Sequence, residues 1–561
     1  MKRATTRILC SAAVLIGALG CGVGPGDPSG SGGASSGGSG GASCGTPGGS
    51  AGNPWAGGAG NVQVRTTFGT IAGTSANAML AFKGIPYAAP PVGPKRFRPP
   101  QPHPGWSGVR NTTAYGSICP QYGHPGAIED CLTLNLWALA GASAPRPVMV
   151  FIYGGGFEAG GTGGGFDSAY DGAALAHATG HIVVNFNYRV GVLGFLAAPE
   201  LIAESPEQTA GNYGILDQIA ALRWVRDNIS AFGGDPSRVF VFGQSAGGAS
   251  ICSLLGSPRA RGLFHAAAIQ SGPCSLFPHL NEVTSAGPAA RDEGSAFLQK
   301  VGCTGPGALE CLRCLPTSTI IQTQGNLPKL DGTALPAPGL FANAASLPNV
   351  DGKVIPADPI ESVTNARVPV IIGINSDEGS GLADLMRPAL GILNNPVTYH
   401  WYLGQRFGTE KADGIVALYP ASAFPSAADA LAEFGQDLLI GCPSEAIAAR
   451  ASAAGIRAHL YIASRGANGS KALHGAELPY LFDKIAAPDA IDVQLRDIMQ
   501  GAWGGFAANP GVSPPSQPAW PAFTKERRES LRMGNSVEVA TTWQSGRCAG
   551  LRALGLTPPA P

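Results

Sequence analysis

Short runs of β-branched and aromatic residues recur along the chain at 147–153 (PVMVFIY), 181–189 (HIVVNFNYR), 238–243 (RVFVFG), 368–375 (VPVIIGIN) and 457–464 (RAHLYIAS), each bounded by Gly, Pro or Asn. Runs this apolar along their whole length read as strands buried on both faces, because a strand with one wet face alternates. Between the second and third lies GILDQIAALRWVRDNISAF, residues 214–232, where Ile215, Ile219, Leu222, Val225 and Ile229 recur at three- and four-residue spacing. That is the stripe of an amphipathic helix. Strand-like runs alternating with helix-length segments predict an α/β fold, a mostly parallel central sheet covered by helices. No internal repeat or low-complexity break follows residue 60, so 61–561 reads as one large domain. The weakest periodicity lies at 275–350, which reads as a loop-and-helix excursion over the site at the edge of the sheet.

The first 60 residues obey different rules. Lys2, Arg3 and Arg7 precede the apolar stretch 8–19, and this order of charge, short apolar core and small residues is that of a secretory signal, residues 1–20. It ends in Ala18-Leu19-Gly20-Cys21, which resembles a bacterial lipobox with Cys21 as the lipidated residue, although a leucine is usual where Ala18 stands. Residues 21–60 are rich in Gly and Ser, have almost no side chains to bury, and read as a flexible tether. The expected location is therefore outside the cytoplasm, as a lipoprotein anchored at the periplasmic or cell surface, or else secreted. With 37 basic and 37 acidic side chains the chain carries no electrostatic footprint for nucleic acid and no polybasic membrane patch. Small neutral molecules are the expected partners, and a membrane is met only through the anchor.

Export permits disulfides, and the chain has 12 cysteines. Cys119 and Cys131 bracket a short loop, as do Cys303 and Cys311. Cys311-Leu-Arg-Cys314 has the Cys-x-x-Cys spacing, but a zinc or redox reading needs a second such pair or a thioredoxin-like setting, and the sequence offers neither. Spacing leaves the pairing of Cys44, Cys252, Cys274, Cys314, Cys442 and Cys548 open.

VFVFGQSAGGAS, residues 239–250, places Ser245 between small residues directly after a strand-like run. Gly243-Gln244-Ser245-Ala246-Gly247 fits Gly-x-Ser-x-Gly, in which a nucleophile on a sharp strand-to-helix turn needs neighbours without bulky Cβ groups. In a chain with 81 glycines that pentapeptide needs partners to carry weight. FIYGGGFEAG supplies Gly154, Gly155 and Gly156, whose unhindered N–H groups suit an oxyanion hole. A dinucleotide reading of Gly154-x-Gly156-x-x-Ala159 lacks its acidic residue, because the next strand ends in Asn187-Tyr188-Arg189; a purely structural turn is the other alternative. Most of the nine histidines take ordinary roles, with His103 in a Pro-rich loop, His124 in the Cys119–Cys131 loop, and His177 and His181 flanking a helix end. His474, in ALHGAELPYLF after a strand-like run, is placed to return an imidazole to the sheet edge. Asp377 and Glu378 end another run in GINSDEGSG, and either can orient that imidazole. The chain order serine, acid, histidine is that of α/β-hydrolases.

Several longer motifs then stand in order: FKGIPYAAPPVGPKRFRPPQPHPGW, EDCLTLNLW, VFIYGGGF, GNYGILDQIAALRWVRDNISAFGGDP, FGQSAGGAS, INSDEGS and LHGAELPYLF. On these motifs the chain, from about residue 62 to 530, resembles the type B carboxylesterase/cholinesterase family of α/β-hydrolases. The resemblance implies Ser245 as nucleophile, Glu378 rather than Asp377 as acid, His474 as base, and Gly155, Gly156 and Ala246 as oxyanion donors. It also implies the disulfides Cys119–Cys131 and Cys303–Cys311 and an ion pair between Arg96 and Glu129. The implied activity is hydrolysis of small neutral carboxylic esters through an acyl-enzyme, with no metal and no organic cofactor. The alternatives on the same fold are a non-catalytic surface or adhesion module, recognised by a missing nucleophile, and an esterase specialised for a toxin, carbamate, drug or polyester. The N-terminal tether has no counterpart in the family, and two further features set the chain apart. Gln244 stands where many members carry Glu, and the loop PQYGHPGAIED holds Tyr122 and His124 but not the tryptophan that binds quaternary ammonium in cholinesterases.

Overall fold

The computed structural model describes residues 61–557 apart from 142–143, 164, 167–168, 276, 285–286, 326–343, 381–394, 542 and 544. The signal segment 1–20, the tether 21–60, and with them Cys21 and Cys44, lie outside the described residues.

The described strands are β1 (Asn61–Arg65), β2 (Thr70–Ala76), β3 (Met79–Pro86), β4 (Val109–Asn111), β5 (Thr133–Leu139), β6 (Arg146–Ile152), β7 (Ile182–Phe186), β8 (Gly234–Gln244), β9 (Ala266–Gln270), β10 (Val370–Asn375), β11 (Ala458–Ala463), β12 (Glu529–Met533) and β13 (Val537–Thr541). They form one sheet in the order β1-β2-β3-β5-β7-β6-β8-β9-β10-β11-β12-β13, with β4 beside β2. From β7 to β12 every neighbouring pair is parallel, while β1, β2, β3, β5 and β13 join antiparallel at the two margins. This is the mostly parallel α/β-hydrolase sheet with helices around it. Each strand-like run read from the sequence lies on one of β6, β7, β8, β10 and β11, all at the parallel centre. β6 shows why the signal is strong there: Val148, Met149, Val150, Phe151 and Ile152 are all fully buried, as a strand covered by helices on both faces requires.

The helix Tyr213–Asn228 buries Ile215, Ile219, Leu222 and Val225 against the sheet. The sequence predicts this helix to run on to residue 232. Its last turn is instead a 3-10 turn, Ile229–Phe232, closed by Gly233 at φ 79°. Arg189, just beyond β7, forks onto Asp217 of this helix with two 2.7 Å bonds, and both side chains are buried. Removing one partner of such a pair costs about 3–5 kcal/mol, so the fork fixes the helix against the strand end.

Within the weakly periodic excursion, the helices Ala290–Lys300, Ala308–Cys314 and Thr317–Gly325 build a separate small core with Leu193, Leu196 and Leu201. Gln324 Oε1 accepts from Val192 N at 3.0 Å, and Gly191 N donates to Phe157 O at 2.6 Å. The excursion therefore hangs beside the glycine loop at 154–160. A third core gathers the helices Pro396–Phe407, Thr409–Leu418 and Ala427–Gln436 under the C-terminal helix Ser545–Ala553. Cys442–Cys548 ties this layer across 106 residues, a closure worth about 4–5 kcal/mol through the entropy of the unfolded chain.

Candidate active site

β8 ends at Gln244 and the helix Ala246–Gly256 starts at Ala246, leaving Ser245 between them at φ 59°, ψ −124°. A side chain held in this region of backbone space costs about 1–3 kcal/mol and persists only where its surroundings fix it. Here Ser245 N donates to Gln270 O at the end of β9, and Ser245 O accepts from Ala249 N, both at 2.9 Å. The neighbouring glycines are steric necessities: a Cβ on Gly247 would lie 2.0 Å from Ile152 O, and one on Gly243 would lie 2.7 Å from Gly247 C. Cys252, seven residues past Ser245, bonds to Cys274 beyond β9 and clamps the helix to the sheet edge. Ala246, as the first helical residue, has an N–H with no partner in the helix's own ladder.

The glycine loop lies against this turn. A Cβ on Gly154 would sit 2.6 Å from Gln244 O and 2.7 Å from Ser245 Cβ. Gly155, Gly156 and Phe157 follow at φ 121°, 64° and 62°. At Gly155 an added Cβ would fall 2.1 Å from Ala159 O, so the turn admits only glycine, whereas Gly156 faces open space. Gln121 holds the far end of the loop through paired 2.8 Å bonds to Gly160 N and O. Asn187 Oδ1 holds it too, accepting from Thr162 N and Oγ1. The strand end Asn187-Tyr188-Arg189 thus buttresses this loop and grips Asp217.

Cys119–Cys131 closes the loop that carries Gln121, and Arg96 pins that loop by donating to Glu129 at 2.7 and 2.5 Å. Arg96 also reaches the carbonyls of Arg313 and Leu315, next to the Cys303–Cys311 disulfide. Since Cys311 pairs with Cys303, and Cys314 is itself disulfide-bonded, the Cys-x-x-Cys is no redox pair.

β10 and β11 lead into the segments that carry Glu378 and His474. Glu378, three residues past Asn375, accepts from Asn375 N at 2.7 Å through Oε1 and from His474 Nδ1 at 2.5 Å through Oε2. Its side chain is 1% exposed, whereas that of His474 is 35% exposed, so the imidazole keeps one edge open. Asp377 points elsewhere: it pairs with the exposed Lys471 at 3.1 Å and caps Ser380 N. Burial works against a charged His474, but the charge and hydrogen bond of Glu378, with the charge of Glu477, outweigh it and raise the imidazole pKa above its ordinary value. Glu477 is fully buried behind the histidine, bonded by Asn375 Nδ2 at 2.6 Å and Gln270 Nε2 at 3.2 Å. Burial pushes its carboxyl up, and the Glu378 charge adds to the shift.

The structure therefore joins His474 to Glu378 and sets the glycine loop against Ser245. The bond it gives His474 Nε2 is to Gln244 Nε2 at 3.2 Å, not to Ser245 Oγ. Neither Gln244 in this contact nor the supporting groups Glu477, Asn375, Gln270 and Asn187 emerge from sequence reasoning. Each is polar and buried at a strand end or just after His474, and only the polarity carries a signal before the fold is known.

A model described as the carboxylesterase family matches residues 60–550. The chain is 34% identical over 517 residues to the para-nitrobenzyl esterase of Bacillus subtilis (strain 168), covering 85% of this chain and 95% of that protein. It is 33% identical over 497 residues to the fumonisin B1 esterase of Sphingopyxis macrogoltabida, covering 84% of this chain and 86% of that one. Among solved structures, a PNB esterase superposes with a TM-score of 0.73 at 33% identity, covering 87% of this chain and 99% of its own.

Proposed function

The chain belongs to the carboxylesterase family and is a carboxylic ester hydrolase, and from that premise we propose that it works through an acyl-enzyme on Ser245, acting on small neutral esters. The observation that carries this reading is the 2.5 Å bond between His474 Nδ1 and Glu378, on a ring whose other nitrogen faces the turn that bears Ser245. A carboxylate at Nδ1 keeps the proton on that nitrogen and leaves a lone pair on Nε2, as a general base requires.

When an ester enters, His474 Nε2 turns from Gln244 to Ser245 Oγ and takes its proton as the oxygen attacks the carbonyl carbon. The oxyanion that forms is received by the N–H groups of Gly155, Gly156 and Ala246. Collapse breaks the bond to the alcohol, which leaves with the proton from His474. A water then gives a proton to His474 as its oxygen attacks the acyl carbon, and collapse breaks the bond to Ser245 Oγ, which takes that proton back from His474 as the acid is released.

The alcohol side offers little to a cation. The short Cys119–Cys131 loop presents Tyr122, 55% exposed, and His124, whose ring packs on Phe166 at 5.4 Å. Gln244, adjoining the nucleophile, carries no charge. A desolvated cation–π contact is worth about 2 kcal/mol, or roughly thirtyfold in binding. Matched acyl esters of choline and of its uncharged isostere 3,3-dimethylbutanol should therefore give specificity constants that differ by less than about tenfold, with both activities lost to an organophosphate. A tenfold or greater preference for choline overturns the neutral-substrate reading, and activity that survives the organophosphate overturns the acyl-enzyme.

The location outside the cytoplasm is proposed on the N-terminal sequence alone: Lys2, Arg3 and Arg7, the apolar 8–19, and Cys21 ahead of the tether. Cys21→Ser should move the enzyme from the membrane to the soluble fraction when the full chain is expressed with its own leader in a bacterium. Identical partitioning of the two proteins removes the anchor.

A further inference from the structure

Gln244 is 2% exposed and wedged between the glycine loop and the histidine loop. A Cβ added to Gly154 would lie 3.1 Å from its Oε1, and one added to Gly475 would lie 3.5 Å from its Nε2. With this little room, the 3.2 Å approach of its carboxamide to His474 Nε2 is fixed by packing from both sides. The ring's other nitrogen is committed to Glu378 at 2.5 Å.

We infer that Gln244 is a positioning residue, holding His474 as a neutral base in the resting enzyme by donating a carboxamide N–H to the same nitrogen that Ser245 must use. This deepens the acyl-enzyme reading and rests on it. The chemistry turns on which hydrogen bonds each group can make. A neutral imidazole with its proton on Nδ1 offers only a lone pair at Nε2, so the partner there must donate, and a carboxamide does. A carboxylate in the same place can only accept, which would favour the imidazolium and raise the pH at which the base becomes free. Among the described residues, the charged groups that face the ring are Glu378, from the segment after β10, and Glu477, three residues on in its own loop. The nucleophile turn adds Gln244 and Ser245, neither of which titrates near neutral pH. A third carboxylate at this position would therefore act on a ring whose proton affinity two carboxyl groups already raise.

The test is the acidic limb of kcat/KM for a neutral ester. Gln244→Glu should move that limb upward by about one pH unit or more, because an anion at this distance favours the charged ring. Gln244→Met, similar in length but unable to donate, should also move the limb upward, by less than Gln244→Glu, because the neutral ring loses its hydrogen bond and no anion is added, with kcat reduced several-fold and KM little changed. In the resting enzyme, the nitrogen-15 resonance of His474 Nε2 should move downfield in Gln244→Met, as expected when a lone pair loses its hydrogen bond. That measurement needs no turnover, so it decides the matter even where Gln244→Glu folds poorly. A limb that moves by less than about 0.2 units in Gln244→Glu, or an unchanged resonance in Gln244→Met, overturns the inference. If the limb survives in His474→Ala, the acyl-enzyme reading fails with it; if the limb depends on His474 but ignores Gln244, only this inference fails.

Discussion

Ser245→Ala is expected to fold as the parent does and to lose roughly 10⁴- to 10⁶-fold in kcat for ester hydrolysis. Folding survives because what fixes the turn is backbone: Ser245 N bonds Gln270 O, and Ser245 O receives Ala249 N. Alanine keeps both bonds and adds no volume beside Gly154, and the strained φ of 59° is already borne with a Cβ present. Activity does not survive, because the attacking oxygen is gone and no other described hydroxyl stands on the turn. What remains is the slow attack of water on an ester polarised by the oxyanion donors, which is why the loss is finite. The measurement is kcat on a chromogenic short-chain ester, beside thermal unfolding of both proteins. An unfolding midpoint close to the parent's with turnover within about tenfold would sink Ser245 as the nucleophile.

The parts of this molecule that could be read from the sequence are those whose physics is local. β6, β7, β8, β10 and β11 announce themselves because burial on both faces forces a continuous apolar run. β9, AAAIQ, escapes that reading although it lies between β8 and β10. Its alanines look helical in sequence, and they serve a strand because the helix Ala246–Gly256 comes so close that a Cβ on Gly248 would meet Gln270 O of β9 at 3.0 Å. The disulfides divide in the same way. Cys119–Cys131 and Cys303–Cys311 follow from the family resemblance, whereas Cys252–Cys274 and Cys442–Cys548 depend on which helix lands on which strand end. Ser245 was legible because a sharp strand-to-helix turn needs small neighbours, and that need is written within five residues. The contact of Gln244 with His474 joins positions 230 residues apart, and no spacing rule reaches so far.

Asp377 and Glu378 are adjacent and chemically alike, so their substitutions should separate position from chemistry. Glu378→Gln is expected to cost about 10⁴-fold in kcat, with KM little changed. An amide at that place can offer an N–H to His474 Nδ1, which favours the ring tautomer with its proton on Nε2 and removes the lone pair needed for Ser245. It also removes the negative charge that stabilises the imidazolium. Asp377→Asn should stay within about twofold, because Asp377 meets an exposed lysine and caps a backbone N–H, and an amide oxygen can still accept that N–H. The same pair of variants should differ in the pH dependence of stability, and the sign follows from the histidine. His474 has a folded pKa above its unfolded value, so its protonation favours the fold below the unfolded pKa of about 6.5, and this contribution fades as pH rises through the folded value. Without the Glu378 charge, burial dominates and the folded pKa falls. Glu378→Gln should therefore lower the unfolding midpoint more at pH 5 than at pH 9 relative to the parent, and Asp377→Asn should show no such slope. If Asp377→Asn proves the more damaging to kcat, or if the deficit of Glu378→Gln is greater at pH 9, then the carboxylate that orients His474 has been misassigned.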